Sequence, residues 1–183
     1  YQLIETEEEA RKLFDFFVTK QILSLDTETT SINPVDAKLV GLSFAVEEGK
    51  AFYVAIPAER EKAQTIVNIF KPLYESTEIL KVGQNIKYDM EVLMNYGVRL
   101  AAPMFDTMIA HYVLQPEQKH NMDILAETLL GYQTVHIDEL IGPKGKGQKN
   151  MRDLSPADIC DYAAEDADVT LRLYNVLKPR LKE

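Results

Sequence analysis

Cysteine is nearly missing from this chain of 183 residues, where Cys160 stands alone. An internal disulfide and any multi-cysteine zinc site are thereby excluded, which suits a reducing cytosol. A lone cysteine of this kind reads as a small core hydrophobe. No stretch approaches the ~20 apolar residues of a membrane-spanning helix, and no signal-peptide pattern opens the chain. Glycine-rich phosphate loops of the Walker or Rossmann type are absent. His111, His120 and His136 show no zinc-ligand spacing, and no serine, cysteine or histidine constellation for nucleophilic catalysis is present; each histidine reads as structural or exposed. Positive charge is scarce too: 20 Lys and Arg against 29 Asp and Glu leave a net charge of −9. Nonspecific grip on nucleic acid rests on neutralising phosphates, so charge alone argues against a broad nucleic-acid surface. It does not exclude a site that grips a strand end through bound cations, because such ions reverse the local field.

A sequence 46% hydrophobic and 27% charged fits one compact α/β domain over 1–183 with a sizeable core. It opens at Tyr1 and stops in a helical-looking segment, so we expect a piece of a longer protein. Thr6-Glu7-Glu8-Glu9 is a capping box, opening a helix with Ala10, Leu13, Phe16 and Phe17 on one face. Ile22–Asp26 reads as a buried strand, and Leu39–Val46 with Ala51–Ile56 as a hairpin. A helix over Thr65–Tyr74, with Pro72 kinking or ending it, and a strand over Ile79–Val82 follow. Then come a helix from Asn85 to about Tyr96, an extended piece at Ala102–Phe105, and helices to Leu114 and over Met122–Leu130. Ser155-Pro156-Ala157-Asp158 has the cap, proline and acid of a helix start, and the helical region runs on to the end with room for one break. Gly142–Asn150, with three glycines and Lys144, Lys146 and Lys149, is the most loop-like stretch, either a solvated loop or an arm for phosphates. That gives five strands.

The chemistry lies in acids. Asp26 and Glu28 stand two apart at a strand end, so both side chains leave one face. Two carboxylates buried together repel unless a cation joins them. Asn85 and Asp89 lie four apart at a helix start, with Lys87 and Tyr88 in the same turn, where a phosphate or sugar is within their reach. Asn85 also suits a helix cap and Asp89 a first-turn acid. Tyr162 and Asp166 repeat the spacing of four on the last helix, where a phenol beside a metal-bound carboxylate can orient an attacking water. Glu165 and Asp168 point elsewhere on an ideal helix and read as surface or outer-layer acids. Asp106 reads as a helix cap and not as a ligand.

In order, Leu25-Asp26-Thr27-Glu28-Thr29, Val82 to Asp89 (VGQNIKYD) and Tyr162 to Thr170 (YAAEDADVT) resemble the three motifs of the proofreading 3′→5′ exonucleases of the DEDD superfamily. Tyr162, four before Asp166, is similar to the tyrosine subclass. Phe105-Asp106-Thr107-Met108 and Met122 to Glu127 extend the likeness to the exonuclease domains of the family A, DNA polymerase I type, over nearly the whole chain. The resemblance implies an α/β, ribonuclease H-like fold with a five-stranded mixed sheet flanked by helices. It implies two divalent metal ions, magnesium or manganese with zinc admissible at one site, held by Asp26, Glu28, Asp89 and Asp166. Tyr162 and Glu28 would orient the water. Thr29, Ile32, Gln84, Asn85, Lys87, Tyr88 and Lys119 would hold the terminal nucleotides of a single-stranded DNA 3′ end. Lys119 stands where relatives often have arginine, making a point charge of a fork. Ile137 falls where some have an aromatic that stacks on a base. The implied partner is a polymerase domain in the same chain, in a cytoplasmic monomer. A ribonuclease D-like RNA-trimming enzyme and a catalytically silent platform domain are the two other readings.

Overall fold

The computed structural model describes residues 1–182. Its strands are β1 (Gln2–Ile4), β2 (Ile22–Thr29), β3 (Leu39–Glu47), β4 (Lys50–Ala55), β5 (Leu80–Gly83) and β6 (Met104–Asp106). They form one mixed sheet in the order β1-β4-β3-β2-β5-β6. The helices are α1 (Glu7–Phe17), α2 (Arg60–Tyr74), α3 (Ile86–Met94), α4 (Thr107–Leu114), α5 (Met122–Leu125), α6 (Asp138–Ile141) and α7 (Pro156–Arg180). The sheet has six strands where the sequence suggests five. The extra one is β1, three residues paired parallel to the edge of β4, too short to display any alternation of its own.

Strand alternation builds two cores. Leu23 and Leu25 of β2, with Leu42 and Phe44 of β3, face α1, α2 and α3. Ile22 of β2, Val40 and Ala45 of β3 and Tyr53 of β4 pack with α7 on the opposite face. Because successive residues of a strand point to opposite faces, Asp26 and Glu28 fall in line with Ile22 and Ser24, towards α7. Ser24 fixes this contact, its hydroxyl donating to the Ala167 carbonyl at 2.7 Å. Gly41 stands opposite Glu28 in the ladder, and a Cβ there would lie 2.0 Å from the Tyr53 ring. The close approach of that buried ring is what requires glycine.

The capping box at Thr6 and Glu9 is present. Pro72 lies inside α2, which runs without a break to Tyr74. The helix α7 is likewise continuous over 25 residues. Its burial on the sheet through Ala163, Ala164, Ala167 and Leu171 holds it together where sequence left room for a break. The stretch 126–130 after α5 is a π-helical turn, closed by Gly131 at φ 63°.

Candidate active site

Three carboxylates converge where β2 meets α7. Asp26, Glu28 and Asp166 each present an oxygen, and these lie within 4.8 Å of one another. Glu28 is 7% exposed, and its Oε1 has no hydrogen-bond partner among the described residues. Burial pushes the Asp26 carboxyl up to about 6. Burial, and then the charge of Asp26, raise Glu28 and Asp166 well above the ordinary carboxylate range. Three anions crowded this way are a site of high negative potential, in which neutralisation must come from protons or from a cation. The donor set is all oxygen, as hard divalent cations prefer, and the unsatisfied Glu28 Oε1 is free to accept one. The residues fit a divalent metal.

Asp89 stands apart from that trio. It projects from the first turn of α3, on the other side of the sheet from α7, and reaches the β2 backbone from there. Its Oδ1 accepts from the Thr27 amide at 3.1 Å and the Thr27 hydroxyl at 2.6 Å. It is 1% exposed, and burial followed by the Asp26 charge raises its carboxyl well above the usual range. Asp89 thus feels the charge of Asp26 across one residue of β2.

Tyr162 lies one turn before Asp166 on α7 and lines, with Asp26 and Asp166, a cleft of about 330 Å³. Burial first, then Asp166, push its phenol far above its ordinary range, so it is an O–H donor at neutral pH. The far side of the cleft comes from Met122, Asp123, Val135, His136, Ile137 and Asp138. Of the two roles the helical spacing left open for Glu165 and Asp168, surface or outer-layer acids, the structure shows the second; they are 5% and 2% exposed. Glu165 accepts from the Tyr132 hydroxyl at 2.7 Å and the Val135 amide at 2.8 Å, anchoring the segment that forms the far wall. Asp168 accepts from the Tyr1 hydroxyl and the Gly49 amide and pairs with Arg172 at 3.1 Å, tying two strand ends to α7. These acids face inward because neighbouring loops fold over α7, which a helical wheel does not contain.

Asp106 caps as expected, accepting from Met108 at 2.8 Å and from Ile109. It also accepts from the amides of Asn85 and Ile86 at 3.0 and 2.9 Å. One carboxylate therefore caps α4 and α3 together. Asn85, read as a helix cap, makes no side-chain cap bond; it sits at φ 58° and is exposed. Of the other nucleotide-contact residues, Tyr88 bonds to the Ser31 carbonyl at 2.5 Å and to the Thr29 hydroxyl. Gln84 is tied to the fold through the His120 carbonyl and the Thr107 hydroxyl. Lys87 and Lys119 are exposed, and Ile32 is 97% exposed, an apolar side chain in water beside the Thr29 turn. Of the cleft's far wall, sequence marked Ile137 and the Met122 segment but gave no role to Asp123, Val135, His136 or Asp138. Asp123 lies inside the Met122 to Glu127 segment, and His136 gave no signal because nothing in its spacing marks it.

These features define a class, the ribonuclease H-like exonuclease fold. Among solved structures, Escherichia coli RNase D aligns over 100% of this chain and 45% of its own, with TM-score 0.74 and 18% identity. Brucella melitensis NrnC aligns over 99% and 80%, with TM-score 0.73 and 24% identity. The family described as 3′-5′ exonuclease matches residues 1–182. DNA polymerase I of Pseudomonas aeruginosa is 39% identical over 92% of this chain, and that of Borreliella burgdorferi 33% identical over all of it. The chain belongs to the 3′-5′ exonuclease family found in bacterial DNA polymerase I. It spans about a fifth of the length of those relatives.

Proposed function

We propose that this chain is a metal-dependent 3′→5′ exodeoxyribonuclease that trims single-stranded or frayed DNA ends, as the proofreading unit of a longer polymerase. The convergence of Asp26, Glu28 and Asp166, with Glu28 Oε1 buried and unsatisfied, carries the reading. Asp26, Glu28 and Asp166 would hold one divalent ion, and Asp26 would hold a second with Asp89, whose Oδ2 is the oxygen Thr27 leaves for it, directly or through water. Magnesium or manganese suits these oxygen donors, and zinc is admissible at one position. When bound, the ions supply Lewis-acid stabilisation of charge developing at the phosphate.

The chain's own groups do the rest. Tyr162 stays a phenol and donates, while the Glu28 carboxylate oxygen not taken by the ion would accept; together they hold a water in line with the terminal phosphodiester. The water oxygen bonds to phosphorus and gives up a proton to solvent, the P–O3′ bond breaks, and O3′ takes up a proton from solvent, releasing a nucleoside 5′-monophosphate. Thr29, Ile32, Asn85, Lys87, Tyr88 and Lys119 hold the last nucleotides, with Gln84 as the anchor of their turn. A single domain, a cytoplasmic setting and a monomeric state complete the proposal. No helix among the described residues is long and apolar enough to cross a membrane. Retention of all four acids and of Tyr162 supports an active enzyme over a silent platform.

The experiment is digestion of 5′-labelled and 3′-labelled single strands, DNA and RNA, with magnesium, manganese or chelator. Stepwise shortening of DNA from its 3′ end, stopped by chelator, is expected. Preference for RNA would replace the DNA reading, and cutting in chelator would remove the metal.

A further inference from the structure

We propose that His136, oriented by Asp123, contacts a phosphate of the strand upstream of the one being cut. This rests on the nuclease reading and deepens it. The cleft beside the carboxylates is lined by four acids, Asp26, Asp123, Asp138 and Asp166. Among its described lining residues, His136 is the one side chain that can carry positive charge. A phosphodiester entering such an acidic cleft meets its one cation-forming side chain there.

The imidazole is held for this contact. Its Nδ1 lies 3.1 Å from Asp123 Oδ2, and a carboxylate can only accept, so Nδ1 carries the proton. The other Asp123 oxygen is fixed by the buried Thr134 hydroxyl at 2.5 Å. Asp123 sits in α5 and Thr134 beyond the π-helical turn, so the ring's orientation is set by two elements. Among the described residues Nε2 makes no hydrogen bond, and the side chain is 60% exposed. A phosphate oxygen at Nε2 would take the second of the two N–H donors that an imidazolium offers, the first going to Asp123. Asp123 is a positioning residue, and His136 touches the substrate.

The test compares two substrates, a single-stranded oligonucleotide and the p-nitrophenyl ester of thymidine 5′-monophosphate, which has one phosphate and no upstream neighbour. His136→Ala is expected to raise KM for the oligonucleotide about five- to tenfold, the scale of one phosphate contact, with kcat within twofold. The ester should show no change. His136→Lys should restore most of the loss, and Asp123→Asn should give part of it. An unchanged oligonucleotide KM overturns the proposal, as does an equal rise on both substrates, which would put His136 at the reacting phosphate. Fluorescence anisotropy of a labelled oligonucleotide reads the same contact without cleavage. A wild-type chain that cuts nothing would sink the nuclease reading, while a His136→Ala loss of binding would still support the contact.

Discussion

Asp166 concentrates the conflict that makes this site work. Its carboxyl is held well above the ordinary range by burial and by Asp26 and Glu28. A carboxyl raised on folding keeps its proton where the unfolded chain has lost it. Stability is therefore full below the unfolded value, near 4, and is lost as pH rises through the folded one. For Asp26 that window runs from 3.8 to about 6, and for Glu28, Asp89 and Asp166 it extends higher. Asp166→Asn removes one of the repelling charges. It is expected to stabilise the metal-free protein at pH 7.5 by about 1–3 kcal/mol, with the gain shrinking towards pH 5, while abolishing cleavage. Chemical unfolding at both pH values, with a nuclease assay beside it, checks this. Asp26→Ala and Asp89→Ala should likewise abolish cleavage and leave folding intact; near-normal activity in both would refute the site. Addition of magnesium or manganese should raise the melting temperature of the wild type at pH 7.5 and have little effect on Asp166→Asn.

At the scale of elements, Asp106 is the junction to probe. Its two oxygens satisfy the first amides of α3 and α4, and each cap is worth about 1 kcal/mol. Asp106→Ala is expected to cost about 2 kcal/mol in urea unfolding, twice what an ordinary cap loss costs. Loosening of α3 should also lower activity, because α3 carries Asp89. The cap on α4 was legible in the sequence, since Asp106 directly precedes a helical pattern. Its second role was not, because Asn85 lies 21 residues away and the two meet only when β6 pairs parallel with β5. The strands β2 to β6 were readable from apolar runs and turn residues. The edge strand β1 was not, since three residues carry no period.

For the whole molecule, charge governs how it meets its substrate. A net charge of −9 opposes the approach of a polyanion, so the isolated chain should bind single-stranded DNA weakly at physiological salt. The salt dependence should be shallow, because few phosphates are neutralised. Tight binding at 150 mM salt, measured by anisotropy, would contradict this. The amino-acid order by itself determined the helix starts, the hairpin and the acids to watch, because caps, turns and alternation are written within a few neighbouring residues. The tertiary structure alone decided which distant acids meet. Strand alternation and the packing of α7 bring Asp166 to Asp26 and Glu28, across some 140 residues of chain, and α3 brings Asp89 to Thr27 between them. It also decided that Glu165 and His136 shape the cleft, because their partners come from segments folded over α7, and no local pattern encodes a meeting between distant parts.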